Sequence, residues 1–172
     1  MSLASELSYE FPRPNWFQRA MKAFGATRFG AWLFSKLLRH LDDVVQRLTR
    51  GRTTVPELLA GLPVLDLTTT GRRSGQPRTS HLISVPLDDT LALLGTNFGQ
   101  PATPAWVLNL EANPHATVRY RGRSVDVLAR PATEAEFSRV LASSGPIYAG
   151  YRTYQQRIGE RRRLRIFLLE RA

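Results

Sequence analysis

The 172-residue sequence predicts a mainly β or α+β domain with a full-sized core: an antiparallel barrel or sheet with inserted helices, behind a helical N-terminal segment. Three observations predict it. From residue 64 the apolar pattern shortens toward a period of two, giving six short strand-like runs punctuated by Gly, Pro, Asn and Asp. No regular strand–helix–strand alternation occurs, which argues against a parallel sheet. Before residue 60 the apolar residues instead recur at steps of three and four, the spacing of a helix face. The expected organisation is a helical segment over 1–60 and a β-rich body over 61–172.

The first 14 residues read as a loose or extended lead-in. Asn15 caps a short helix, Trp16 to Phe24, that Gly25 ends. Thr27 caps a longer one, Arg28 to about Leu48, whose stripe runs through Phe29, Trp32, Leu33, Leu37, Leu41, Val44, Val45 and Leu48. Its arginines and Lys36 lie mostly off that stripe. Two readings compete: the stripe packs on the domain, or this basic amphipathic segment lies on an anionic membrane surface. Residues 49–63 read as a linker with one helical turn at Pro56–Leu59.

In the body, strand one is expected over Val64–Thr70 and strand two over about Arg78–Val85, stopped by Pro86. Asp88-Asp89 turns the chain into strand three, Thr90–Thr96. A loop leads to Thr103, which is expected to cap a helix from Pro104 to about Ala112. Strands His115–Tyr120 and Ser124–Ala129 flank a turn at Arg121-Gly122-Arg123. Thr133 with Glu136 forms a capping box for a helix ending near Ser144, before Gly145-Pro146. A helical stretch Ile147–Ile158 and a last strand Leu164–Leu169 complete the chain.

Composition narrows the function classes. With no cysteine there is no disulfide framework, thiolate metal site or cysteine nucleophile. His40, His81 and His115 are too scattered to suggest a metal site, and no metal is expected. A net charge of +10, almost all arginine, implies an anionic partner such as a phosphorylated cofactor, an acidic membrane or nucleic acid. Nucleic acid ranks last, because aromatics are not interleaved with the arginines as stacking platforms. A polar start broken by Pro12 and Pro14 does not read as a secretory leader, and no apolar run reaches the length of a spanning helix. The expected location is cytoplasmic, with peripheral contact at the inner face of the membrane if the N-terminal helices bind it.

Three constellations carry chemistry. The run Leu65–Ser80 passes from an apolar strand through three threonines into a turn on Gly71 and Gly75, with Arg72, Arg73 and Arg78 in and after it. Guanidinium forks suit phosphate and carboxylate, so this reads either as an anion cradle or as a solvated basic hairpin tip. Pro104-Ala105-Trp106, with Asn109 and Asn113-Pro114, puts a tryptophan in the first turn of a helix, near any anion the helix attracts; the alternative is that Trp106 is core. Tyr148, Tyr151 and Tyr154 fall on roughly one helix face, as a wet pocket wall or an ordinary polar rim. No catalytic triad or phosphate-binding lysine loop is legible, so an enzyme here would draw its chemistry from a cofactor.

The run Leu67–Arg78 resembles the deazaflavin-dependent nitroreductase family. So do Pro104-Ala105-Trp106 with Asn109-Leu110 and Ala112-Asn113-Pro114, then Ala129–Thr133, then Tyr148, Tyr151 and Tyr154. The resemblance implies a split β-barrel of the FMN-binding, flavin-reductase type and the cofactor coenzyme F-420, an 8-hydroxy-5-deazaflavin with a phosphate and an oligoglutamate tail; FMN is the second choice. It implies a phosphate held by Arg72, Arg73 and Arg78 with the neighbouring Gln76. The deazaflavin would be bordered by Thr79, Ser80 and His81, by Thr96, and by the Ala105-Trp106 turn. Tyr148, Tyr151 and Tyr154 would close over a flat hydride acceptor such as a quinone, activated alkene or nitroaromatic. The chain departs from the family pattern in Arg73, often a lysine, in Asn97, a basic position that here loses one tail contact, and in Ile83, often aromatic. A non-catalytic carrier of F-420 or of a lipid-like ligand is the alternative. Oligomeric state is not legible.

Overall fold

The computed structural model describes residues 2–10, 27, 63–147 and 163–172. The expected helices Trp16–Phe24 and Arg28–Leu48, the turn at Pro56–Leu59, the helical stretch beyond Ile147 and the three tyrosines lie outside the described residues.

The described elements run α1 (Leu3–Leu7), β1 (Leu65–Thr70), β2 (Pro77–Leu82), β3 (Ser84–Leu87), β4 (Thr90–Leu94), a 3-10 turn (Asn97–Gly99), α2 (Ala105–Ala112), β5 (His115–Tyr120), β6 (Arg123–Pro131), α3 (Glu134–Ile147) and β7 (Ile166–Arg171). The strands form one sheet in the order β2-β1-β5-β6-β7-β4-β3, with every neighbouring pair antiparallel. The two edge strands, β2 and β3, are separated in sequence by Ile83 alone. The sheet must therefore curl until its edges approach, and β2 and β3 do not pair: a barrel with an open seam.

Two apolar clusters divide this barrel. Leu65 and Leu67 of β1, Leu91 and Leu93 of β4, Val118 of β5, Val127 of β6, and Phe167 and Leu169 of β7 fill the interior, joined by Trp106, Val107 and Leu110 of α2. Val85, Leu87, Ala92, Leu94, Ile166 and Leu168 face the other way, where Val140, Phe137 and Leu141 of α3 cover them. β4 and β7 are thus buried on both faces, which is why they read as continuous apolar runs, whereas β5 alternates because its outer face is polar.

Several boundaries differ from expectation. The second strand is two strands broken at Ile83, and Pro86 does not stop it: paired with Leu91, it sits in the edge strand β3, where a missing N–H is tolerated. β4 ends at Leu94 because Gly95 turns inward; a Cβ there would meet Val107 Cγ2 at 2.9 Å and the Arg165 carbonyl at 3.1 Å. Pro104, with an extended ψ of 143°, occupies the cap of α2 in place of Thr103 and makes no side-chain cap bond. The capping box of α3 forms, the Thr133 N–H donating to Glu136 Oε2 at 2.8 Å, but the helix runs on through Gly145-Pro146. Ser144 Oγ there donates to the Leu141 carbonyl at 2.9 Å. The last strand lies two residues later than expected.

The lead-in is not loose. Ser2 caps α1, and Leu3, Leu7 and Tyr9 are buried in the barrel interior. The Tyr9 ring packs edge-on against Tyr120, with centroids 5.0 Å apart. Its hydroxyl donates to the Pro63 carbonyl at 2.8 Å and accepts from the Ser84 N–H at 2.9 Å, so residues 2–10 tie down the corner where β2 becomes β3.

Candidate cofactor site

β1 and β2 form a hairpin whose six-residue connection, Gly71 to Gln76, carries Arg72 and Arg73, with Arg78 the second residue of β2. The Gly71 N–H donates to the Gln76 carbonyl at 2.8 Å, and the Gly75 N–H donates to the Gly71 carbonyl at 2.7 Å. Gly71 has no room for a side chain: a Cβ would meet Ser74 Oγ at 2.8 Å and the Gln76 carbonyl at 3.0 Å. Gly75 adopts φ +66°, the left-handed region that glycine enters without strain. The turn is also held from behind. The Arg72 N–H donates to Asn109 Oδ1 at 3.1 Å, Asn109 Nδ2 donates to Thr69 Oγ1 at 3.0 Å, and Thr69 Oγ1 donates to the Arg78 carbonyl at 3.3 Å.

The electrostatics separate this turn from the rest of the surface. Arg119 pairs with Asp66, Arg130 with Glu136 and Glu170, Arg139 with Asp88, Arg163 with Glu134, Arg165 with Glu111 and Arg171 with Glu6. Arg72, Arg73 and Arg78 are exposed, and no carboxylate among the described residues pairs with them. Three guanidinium groups, two in the turn and one just after it, are thus without a carboxylate partner among the described residues, and guanidinium forks suit phosphate and carboxylate.

α2 brackets the site. Through Asn109 it holds the arginine turn; through Val107, against which Gly95 packs, it meets the chain entering Thr96 and Asn97. Its first turn carries Ala105 and Trp106. The Trp106 ring is core: it is buried and lies edge-on to Phe167 at 6.3 Å, so only the backbone of this turn is available to a ligand. Thr96 is buried. Asn97, at φ +47°, spends its side chain on its own loop, with Nδ2 donating to the Ala102 carbonyl at 2.9 Å.

The residues expected along strand two divide between faces. Arg78 and Ser80 lie opposite Thr69 and Leu67, on the interior face; Thr79 and His81 lie opposite Thr68 and Asp66, on the outer face. Because Gly71 and Gln76 are a hydrogen-bonded pair, alternation turns the main-chain groups of Thr79 and His81 away from β1, toward the seam. Gln76 is exposed in the turn. On the outer face Thr68 and Thr79 share a 3.0 Å hydroxyl hydrogen bond, and Thr117 donates to Asp126 at 2.8 Å. Thr68, Thr70, Pro77, His115, Thr117 and Asp126 line an open groove of about 460 Å³ beside the arginine turn.

Further along that face, Asp66 Oδ1 lies 2.7 Å from His81 Nδ1, and Asp66 Oδ2 accepts from Arg119 Nε at 3.2 Å and Nη2 at 2.9 Å. Burial pushes the Asp66 carboxyl up, but the His81 and Arg119 hydrogen bonds outweigh it and hold the group below the usual carboxylate range. An ionised carboxylate only accepts, so His81 carries its proton on Nδ1. The His81 side chain is thus organised by a buried acid, while the expectation for His81 concerns its backbone.

The structure thus brings Arg72, Arg73 and Gln76 together on one turn, with Arg78 at the start of β2, and links them through α2 to Thr96, Asn97 and the Ala105-Trp106 turn. Tyr148, Tyr151 and Tyr154 lie outside the described residues. The clamp of Asn109 and Thr69, and the partners of His81, escaped the sequence reading. Asn109 stood there only as a neighbour of Trp106, and a buried amide in a helix was the one signal pointing to it.

The open-seamed antiparallel barrel is a split barrel of the flavin-reductase-like fold class. The family model described as F-420H(2)-dependent quinone reductase matches residues 38–171, and the chain belongs to that family. An F-420H(2)-dependent quinone reductase of Mycobacterium tuberculosis is 35% identical over 97 residues, 56% of this chain and 63% of that protein. The chain therefore spans just under two thirds of the length of the curated relatives it matches. A solved F-420-H2-dependent reductase superposes with a TM-score of 0.57 at 28% identity, over 63% of this chain and 94% of that one. A solved domain-swapped dimer gives 0.59 at 26% identity, over 77% and 98%.

Proposed function

We propose that this chain is an oxidoreductase that uses reduced coenzyme F-420 to reduce a flat, electron-poor acceptor of the quinone class, with activated alkenes and nitroaromatics as further candidates. The observation that carries the reading is the cluster of Arg72, Arg73 and Arg78, without a carboxylate partner among the described residues and pinned to α2 through the Arg72 backbone. The residues present fit a phosphorylated deazaflavin. The arginines would hold phosphate, Gln76 would offer its exposed amide, and the main chain of Thr79, Ser80 and His81 with the Ala105-Trp106 turn would border the ring. The names of the family and of the M. tuberculosis relative support the same cofactor and acceptor class.

When bound, the reduced deazaflavin supplies a hydride from carbon five. The chain's part is to hold, orient and shield. Tyr148, Tyr151 and Tyr154 are proposed to orient the acceptor and to donate or relay its proton. A tyrosine of ordinary acidity is a weak donor, so single Tyr→Phe changes should raise KM more than they lower kcat. We propose the barrel, 61–172, as the catalytic unit. The basic amphipathic stretch expected over Trp16 to Leu48 is proposed to bring it to an anionic membrane, although no helix among the described residues is long and apolar enough to cross one. Anaerobic oxidation of reduced F-420 by a soluble quinone tests the reading. Turnover supports it; tight F-420 binding without turnover of any quinone, enone or nitroaromatic makes the protein a carrier.

A further inference from the structure

We infer that Asn109 is a positioning residue of the cofactor site, setting the arginine turn in register with α2. The inference rests on the proposed phosphate grip. A six-residue turn between two strands has two soft dihedrals per residue, and three clustered guanidinium groups repel one another. Its own hydrogen bonds, from Gly71 to Gln76 and from Gly75 to Gly71, close the loop but do not fix how it leans relative to the rest of the barrel. Asn109 does that. It sits in the second turn of α2 and is 6% exposed. Its two ends serve different partners: Oδ1 accepts the Arg72 N–H at 3.1 Å, and Nδ2 donates to Thr69 Oγ1 at 3.0 Å, with Thr69 itself only 2% exposed.

The geometry requires an amide. A carboxylate could accept from Arg72 but would bring a negative charge behind the cradle, and a leucine could fill the volume but bond to neither partner. Because the anchor reaches the backbone of Arg72, all three arginine side chains remain available to a ligand. The same helix opens with Ala105 and Trp106, so Asn109 fixes the spacing between the expected phosphate end and the ring end of the cofactor. A cofactor that lacks the phosphate does not use that spacing.

The test compares coenzyme F-420 with its phosphate-free deazaflavin nucleoside on wild type, Asn109→Leu and Thr69→Val. Leucine nearly conserves volume, and Thr69→Val removes the acceptor that orients the amide together with the 3.3 Å hydrogen bond to the Arg78 carbonyl. Losing a buried hydrogen bond should weaken F-420 binding about tenfold in Asn109→Leu and by less in Thr69→Val, with nucleoside affinity nearly unchanged. In the ligand-free protein the Arg72 amide should lose its protection from hydrogen exchange in Asn109→Leu. Equal loss for both ligands, or an unchanged preference for F-420, overturns the inference; so does unchanged Arg72 protection. If Asn109→Leu does not fold, the Thr69→Val comparison decides alone. Wild type that does not prefer F-420 over the nucleoside overturns the phosphate grip instead, a result distinct from either variant outcome.

Discussion

Carboxylate partners separate the arginines that build this protein from those that serve it. Arg119, Arg130, Arg139 and Arg165 are neutralised locally, whereas no carboxylate among the described residues pairs with Arg72, Arg73 or Arg78. Replacing any of the three by alanine should weaken F-420 about tenfold or more, as loss of a charge-assisted hydrogen bond does, and leave the phosphate-free nucleoside unaffected. Arg73→Lys should be the mildest change, since it keeps the charge where relatives often carry lysine. Calorimetric titration at two salt concentrations checks both, with the wild-type advantage shrinking at high salt. The ion pairs predict acid sensitivity. Hydrogen bonds from Arg130 and from the Thr133 N–H pull Glu136 from an ordinary 4.5 to about 2. Its folded form therefore gains stability above pH 4.5 and loses it as the pH falls toward 2. Glu136→Gln should flatten that part of a pH–stability curve measured by urea unfolding. A variant as steep as wild type would place the acid lability elsewhere, with Asp66, which is also held low, as the next group to change.

At the scale of elements, legibility followed locality. The β1–β2 hairpin was readable because β-branched threonines and the Gly71/Gly75 turn are local signals, and the capping box of α3 was readable because Thr133 and Glu136 are three residues apart. The break at Ile83 was invisible: Arg78–Val85 contains no breaker, and the bend comes from barrel closure. Pro86 misled because its meaning depends on whether the strand is an edge. α1 was missed because five residues cannot show a helical period; the barrel interior, which buries Leu3 and Leu7, stabilises it. Asn109 could be seen but not its role, since its partners lie 37 and 40 positions away. The N-terminal strap makes its own prediction. Tyr9→Phe strands a buried Pro63 carbonyl and a buried Ser84 N–H, and should cost about 1–3 kcal/mol in urea unfolding without changing the slope of the transition. Stability within error of wild type would show that the Ser84 corner does not need the hydroxyl.

For the molecule as a whole, the fold explains why the site lies where it does. β4 and β7 are covered on both faces, by the barrel interior and by α3, and form the rigid wall. β2 is an edge, so its hairpin tip lies at the seam. α2 plugs the interior and ties that tip to the loop after β4. A barrel of this kind supplies position and charge, and the reactive centre comes from what it binds. The measurement that bears most directly on this is titration of the purified protein into F-420 and into FMN, followed by fluorescence. Saturable F-420 binding with at most weak FMN binding, abolished or sharply weakened when Arg72, Arg73 and Arg78 are replaced together, is the expected result. Micromolar FMN binding with none for F-420, or F-420 binding indifferent to all three arginines, would contradict it.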